Sequence, residues 1–405
     1  MSACLSSPIA VLATHTAPRP AGVDDAETVD LLAVLAGLPD PRARRGRRHR
    51  LATVLAIAVC AVLAGARSYT AIAEWAHDLP ATARMRLGIA ARGAPSESAI
   101  RRLLQAVDAE SLDRAVSGWL GTRASAAGPA PQPGSDQPRR LIAIDGKTAR
   151  GARARGSGEG ADTRAVHLLA SFDQATGVVL GQSVVDGKTN EITAFAPLLD
   201  RIDLTEAIIT ADALHTQRAH ADYLHTRGAH YLLTVKANQP GLRRQLKALP
   251  WAQIPTVDTQ HDKGHGRVES RTVKLTAIND RDGGIAFPHA RLAIQLTRRR
   301  KALNSRKWHT ETIYAITDSD YGHIRADQLA DALRGHWGIE NRLHWIRDVT
   351  YAEDHSQIRT GTGPAAMATL RNLAVSIHRL TGATNIAAAC RHVSRHPNRV
   401  LALLT

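Results

Sequence analysis

The sequence has few cysteines, and this scarcity excludes whole classes of protein. Only three occur in 405 residues, Cys4, Cys60 and Cys390, and they stand far apart with no C-x-x-C spacing. A disulfide scaffold and a thiolate metal site both need clustered cysteines, so neither is expected, and a reducing cytoplasm fits the chain.

A secretory signal and a membrane-spanning segment are also missing from the pattern. No charged region precedes the first apolar residues, which argues against a secretory signal. The most apolar run, residues 51–66, is rich in alanine and shorter than the roughly 20 residues that span a bilayer. We therefore expect a buried helix there, and no membrane partner.

Positive charge, in contrast, is in excess. The chain contains 52 Lys and Arg against 37 Asp and Glu, a formal net charge of +15. Such an excess favours a polyanionic partner, most often nucleic acid. A protein with many solvated arginines is the alternative interpretation.

The composition of the first third of the chain predicts a helical domain between two irregular segments. Residues 1–25 are rich in Ala, Pro, Ser and Thr and are expected to be disordered. Helical spacing of apolar residues extends over 26–120. A Gly, Ala, Ser and Pro linker follows at 121–139 and marks the clearest domain boundary.

The pattern changes after the linker. Over 140–380, three antiparallel-looking strands and then alternating helices and strands predict an α/β domain of the ribonuclease H kind. A mostly β insertion is predicted at about 237–319. Residues 381–405 are expected to be a C-terminal tail.

Some arginines of the helical region are suited to phosphate contact. A dense basic run includes Arg45 and Arg48, and a predicted helix carries Arg101 and Arg102 in its first turns. A helix that enters the major groove of DNA has this character. A solvated loop and an ordinary amphipathic surface helix are the alternatives.

Two apolar runs each end in an aspartate. Residues 141–144 precede Asp145, and 207–211 precede Asp212. Short apolar runs predict buried strands, and neighbouring strands of one sheet would bring the two carboxylates together. Like charges that close raise each other's pKa unless a cation is present, and oxygen ligands favour Mg²⁺ or Mn²⁺. An ordinary strand-to-turn Asp-Gly is the alternative for Asp145.

A third carboxylate stands in the unusual stretch 334–345, where His-Trp occurs twice. Residues four and seven apart share a helix face, so His336, Glu340 and Arg347 are expected to form one stripe. A carboxylate between cationic groups suits a site that holds both metal and phosphate. A surface helix with ordinary ion pairs is the alternative.

Two aspartates and a glutamate, on two strands and a helix, are the groups that two-metal phosphoryl transfer needs. We therefore interpret Asp145, Asp212 and Glu340 as metal ligands and catalytic residues, with Glu353 or Asp354 as the alternative third ligand. Positive or hydrogen-bonding side chains near them would contact the DNA backbone. We expect this of Lys147, Arg150, Lys236, His336 and Arg347.

Seven stretches carry a resemblance to a known family: LPDPR (38–42), ARSYTAIAEW (66–75), IDGKT (144–148), KTNEI (188–192), TADALH (210–215), HGRVE (265–269) and HWGIEN (336–341). In this order they resemble the DDE transposases of bacterial insertion sequences, in particular the ISAs-type group and the related H-repeat-associated proteins. The resemblance implies a ribonuclease H-like catalytic domain, an N-terminal associated domain and the triad Asp145, Asp212 and Glu340.

The resemblance also implies partners and cofactors. These are Mg²⁺ or Mn²⁺, two ions per active site, and double-stranded DNA in the form of the element ends and the target. A homodimer in the synaptic complex and a place on the bacterial nucleoid in the cytoplasm are implied as well.

One helix departs from the pattern of a wider group of such transposases, which carry Tyr, Arg, Glu and Lys where this chain has Leu333, His336, Glu340 and Arg347.

Two other functions stay open. One is a ribonuclease H-like nuclease that cuts DNA without joining it, and the other is a catalytically inactive transposase relic that only binds DNA. The presence of all three carboxylates argues against the relic.

Overall fold

The computed structural model describes residues 30–45, 47–89, 93–127, 139–152, 165–185, 191–264, 266–278, 284–321 and 324–404. The predicted disordered segment 1–25 and most of the predicted linker lie outside these ranges, as do residues 188–190 and 265 of the matching stretches. No helix within the described ranges is both long and apolar enough to cross a membrane.

A nine-stranded mixed sheet organises the molecule, in the order β3-β2-β1-β4-β5-β9-β8-β7-β6. Strands β1 and β4 are parallel, as are β4 and β5, and the other neighbours are antiparallel. The predicted α/β class is confirmed. The strands are β1 (Leu141–Ala149), β2 (Val166–Asp173), β3 (Val179–Val185), β4 (Ile208–Ala211), β5 (His230–Val235), β6 (Thr256–Gly264), β7 (Arg267–Ala277), β8 (Leu292–Ala302) and β9 (His309–Thr317).

Helices pack on the sheet and on one another. They are α1 (Leu31–Ala36), α2 (Leu51–Leu63), α3 (Tyr69–His77), α4 (Ala81–Arg86), α5 (Glu97–Leu104), α6 (Ala109–Ala127), α7 (Glu191–Leu199), α8 (Arg218–Thr226), α9 (Pro240–Ala248), α10 (Ala326–Gly335), α11 (Trp345–Val349), α12 (Gly363–Leu380), α13 (Ile386–Ser394) and α14 (Pro397–Leu401). A π-helical segment, Glu340–His344, lies between α10 and α11.

The segment predicted as a β insertion does not form a separate unit. It holds α9 and β6–β9, and its strands extend the main sheet because β9 pairs with β5 from Leu232↔Thr317 to Val235↔Tyr314. This pairing satisfies the backbone groups that an edge strand would leave open. One continuous sheet therefore carries both the predicted catalytic strands and the insertion.

The N-terminal helices share one hydrophobic core with the sheet. Every residue of α2 except Ala52 is buried, as expected for the apolar run, because helices pack against it from several sides. Helix α12 contacts both α2 and α6, and α6 contacts β3. The segment predicted as a tail instead contains α13 and α14, which both pack on α2.

Candidate active site

The register of two parallel strands brings the two predicted aspartates side by side. Strands β1 and β4 pair as far as Ile144↔Ala211, so Asp145 and Asp212 are the next residue on each chain segment. Strand β1 itself continues past Asp145 to Ala149 along β2. The prediction that Asp145 ends its strand is therefore wrong. What ends there is the pairing of β1 with β4, because β4 stops at Ala211.

Local structure holds the side chain of Asp212. This residue caps the short 3-10 turn Ala213–His215, and its Oδ1 accepts a hydrogen bond of 2.7 Å from the backbone N–H of Leu214. A capping carboxylate loses rotational freedom. One of its two oxygens is thus engaged with the turn.

Glu340 approaches the aspartates from a helix. It is the first residue of the π-helical segment, and its side chain is exposed. Asp145, Asp212 and Glu340 all line one open cleft of about 910 Å³. The structure therefore brings together three carboxylates that are remote in the sequence.

Electrostatics in the cleft favour a cation. Burial, together with the charges of Asp212, Glu191 and Glu340, raises the pKa of Asp145 to about 7. An excess of close carboxylates is the donor set that Mg²⁺ and Mn²⁺ prefer. Within the described ranges, no three His, Cys, Asp or Glu side chains form a ready-made metal site, so these carboxylates would have to draw closer to share an ion.

Comparison with known proteins identifies the family. Residues 136–377 match the family model described as "Transposase DDE domain", and residues 32–120 match the model described as "DDE_Tnp_1-associated". The chain belongs to the DDE transposase family.

Named relatives of this family member occur in Escherichia coli. "Putative transposase YncI" of strain O157:H7 is 29% identical, covering 86% of this chain and 87% of the relative. "H repeat-associated putative transposase YhhI" of strain K12 is 28% identical, covering 87% and 90%. A piggyBac transposase synaptic complex with hairpin DNA is 10% identical with a TM-score of 0.40, and the match covers 92% of this chain and 78% of that chain. A TM-score this low supports no argument about fold.

In this DDE transposase two histidines of the His-Trp pairs lie beside the carboxylates. His344 Nδ1 is 3.4 Å from Asp145 Oδ2, and His336 Nδ1 is 3.1 Å from Thr210 Oγ1. Burial lowers the pKa of His344 to about 3 and that of His336 to about 4. Both rings are therefore neutral near pH 7 and offer hydrogen bonds rather than positive charge. Contact of His336 with DNA stays a prediction. Sequence analysis assigned no role to His344.

The predicted DNA contact at Arg347 is wrong. Its side chain is fully buried and pairs with Glu353 at 2.8 Å, and it also donates to Gln182 and Asn372. His336, Glu340 and Arg347 therefore do not form the expected stripe. The π-helical segment adds a residue to the turn after Glu340, and this extra residue rotates Arg347 toward the core.

The same network removes Glu353 as an alternative metal ligand. Burial alone would raise the pKa of Glu353, but Arg347 and Arg371 outweigh it and lower that pKa to about 2. Lys147 is also engaged: only 8% of its side chain is exposed, and its Nζ lies 2.7 Å from Asp348. Neither its exposure nor its pairing suits the DNA contact predicted for it. Asp354, the other alternative third ligand, has a carboxylate oxygen 3.9 Å from the Nε of Arg150.

Other predicted DNA contacts are exposed. Lys236 lines the cleft at the end of β5. Arg101 pairs with Glu97 at 3.3 Å, and both Arg101 and Arg102 lie in the last turn of α5 rather than its first. As DNA contacts they stay predictions, together with the exposed side chains of Arg45, Arg48 and Arg150.

Two groups of residues in or near the cleft were not found from the sequence. The insertion strands line the cleft with Arg267, Arg271 and Arg298, which all pair with Glu269. Arg298 also stacks 4.9 Å from the ring centre of Trp337. Glu191, which affects the pKa of Asp145, is the second omission. Glu191 belongs to KTNEI, one of the stretches that resemble the family, and this was a signal in the sequence. No spacing in the sequence connected Glu191 with Asp145 or Asp212.

Proposed function

We propose that this protein is a DNA transposase that binds the ends of its element, cleaves at the 3′ ends and joins them to target DNA. The observation that carries the proposal is the convergence of Asp145, Asp212 and Glu340 in one cleft of a DDE family member. The strand order β3-β2-β1-β4-β5, with its two parallel pairs, supports a ribonuclease H-like catalytic domain.

The carboxylates fit the divalent ions that this chemistry uses. Asp145, Asp212 and Glu340 would hold two Mg²⁺ or Mn²⁺ ions. When bound, such ions lower the pKa of an attacking water or 3′-hydroxyl and stabilise the leaving oxygen. The raised pKa of Asp145 means that its carboxyl binds a proton near neutral pH until a cation replaces that proton.

The chain's own part in the reaction is positioning and charge. Neutral His344 beside Asp145 and neutral His336 beside Thr210 limit how these side chains turn. The cleft wall carries exposed positive side chains that would contact a phosphate backbone, among them Lys236, Arg267 and Arg334. Arg267 lies 3.6 Å from Glu269 and Arg334 lies 3.6 Å from Asp262. Contacts of this kind hold DNA in register without reading its sequence.

The proposal is tested with Asp145→Asn, Asp212→Asn and Glu340→Gln, assayed for Mg²⁺-dependent cleavage of element-end DNA and for strand transfer. Each variant is expected to lose turnover while keeping DNA binding, because the net charge of +15 changes little. Asp222→Asn, an exposed aspartate on α8, is the matched control and should stay active. Full activity in any triad variant would remove that residue from the catalytic set.

Joining is the step that separates a transposase from a nuclease. DNA with pre-cleaved 3′ ends is supplied with a target plasmid, and joined products are counted. Products support a transposase, whereas cleavage of intact ends without any joining supports a nuclease. The size of the complex on paired ends, measured by light scattering, tests the proposed homodimer.

A further inference from the structure

Glu191 lies directly behind the strand that carries Asp145. It is the first residue of α7, and its carboxylate packs on Gly146. A Cβ added to Gly146 would stand 2.6 Å from Glu191 Oε2, closer than atoms can approach. Successive strand residues face opposite sides of a sheet. Glu191 therefore packs on β1 from the face opposite to the one that Asp145 occupies.

Two histidines hold both oxygens of Glu191. His167 Nε2 lies 2.7 Å from Oε1, and His215 Nε2 lies 3.3 Å from Oε2. His167 belongs to β2, and its Nδ1 is 2.8 Å from Thr148 Oγ1 on β1. His215 ends the turn that Asp212 caps. Glu191 therefore connects the segment of Asp145 with the segment of Asp212.

His215 lies in a packed environment. His215 is almost fully buried, and its backbone oxygen lies 3.1 Å from His220 Nδ1. His220 stacks on Phe195 of α7 with ring centres 4.0 Å apart. Hydrogen bonds from His167 and then His215 outweigh burial and lower the pKa of Glu191 to about 2. Glu191 thus stays ionised within a packed network.

We propose that Glu191 is a positioning residue which, through His167 and His215, fixes the distance between Asp145 and Asp212 and so sets the affinity of the cleft for divalent metal. Both of its oxygens are engaged with histidines, so it acts through the aspartates rather than as a ligand. This inference rests on the proposed function, since it assumes a metal held by the aspartates.

The test is metal binding rather than turnover. Mn²⁺ alone is titrated into the full chain without DNA, and its Kd is measured by calorimetry. Glu191→Ala is expected to raise the Kd about 10- to 100-fold, as is usual when a group that orients metal ligands is lost, and Glu191→Gln less so. Glu74→Ala, an exposed glutamate on α3, is the control and should leave the Kd unchanged.

Gly146→Ala tests the same contact from the other side. The added methyl would displace the flexible carboxylate end of Glu191, so it should raise the Kd in the wild-type background. In the Glu191→Ala background the methyl has room, and the second change should add little. Because Gly146→Ala keeps Glu191 in the chain, it decides the question if Glu191→Ala does not fold.

The possible results separate this inference from the proposed function. If the wild type does not bind Mn²⁺, or if Asp145→Asn binds it equally well, the proposed metal site is wrong. If Asp145→Asn loses binding while Glu191→Ala and Gly146→Ala bind like the wild type, only the role of Glu191 is overturned. Fully additive effects of Gly146→Ala and Glu191→Ala would also overturn it.

Discussion

Asp145 in the cleft and Glu353 in the core are both carboxylates removed from water, but their pKa values are shifted in opposite directions. Burial raises the pKa of Asp145 to about 7, helped by the charges of Asp212, Glu191 and Glu340. Burial acts in the same direction on Glu353, but Arg347 and Arg371 overcome it and lower that pKa to about 2. Neighbours, rather than burial alone, decide which carboxylate stays charged.

The difference teaches which cluster serves stability and which serves binding. The Glu353 cluster contains its own cations, at 2.8 Å from both Arg347 and Arg371, and is closed to solvent. The carboxylates around Asp145 repel one another and lie in an open cleft. A cation from solution would balance them, which is the property expected of a metal site.

The largest effect should come from opening the closed cluster. Arg347→Ala leaves Glu353 buried without its main partner, and breaking such a pair costs about 3–5 kcal/mol. Urea unfolding followed by circular dichroism measures this loss. Arg150→Ala, at an exposed arginine 3.9 Å from Asp354, should change the free energy of unfolding little. A stable Arg347→Ala protein with weakened DNA binding would restore Arg347 as a DNA contact.

A smaller effect of opposite sign is expected at Asp145. Its pKa rises from 3.8 to about 7 on folding, so the folded chain binds more protons and this group makes stability fall as pH rises through that range. Asp145→Asn removes the penalty and should stabilise the metal-free protein at pH 8 by roughly 2–4 kcal/mol.

The pH and metal dependence supply the controls for Asp145→Asn. At pH 4 its effect should be small, because the wild-type carboxyl is then protonated in the folded state and partly protonated in the unfolded chain. Unfolding in EDTA at pH 4 and pH 8 measures the difference, with Asp222→Asn as the control. Adding Mg²⁺ should stabilise the wild type and not Asp145→Asn. If Asp145→Asn is less stable than the wild type at pH 8 in EDTA, repulsion among the carboxylates of the cleft does not destabilise the metal-free protein.

The smallest effect should be at the rim of the cleft. Lys236→Ala removes one exposed cation and should weaken DNA binding similarly for all sequences, lowering the slope of log affinity against log salt by about 1. Fluorescence anisotropy at several salt concentrations measures that slope. Arg114→Ala, at an exposed side chain of α6 that pairs with Glu110, is the control. An unchanged slope in Lys236→Ala would place the DNA elsewhere.

Much of the site could be predicted because its signals are local. The apolar runs before Asp145 and Asp212 predicted strands, and strands that pair in parallel bring their following residues together. The direction of Arg347 could not be predicted, because α-helical spacing was assumed through a π-helical segment. The role of Glu191 depends on contacts with His167 and His215, which come from two different elements.

By itself, the sequence determined the α/β class, the buried α2 and the family, because hydrophobic periodicity and short motifs are properties of neighbouring residues. Only the tertiary structure decided that β6–β9 extend the main sheet, that Arg347 neutralises Glu353, and that Glu191 lies behind Asp145. These relations join residues far apart in the chain, and they follow from strand pairing, helix register and the need to balance buried charge.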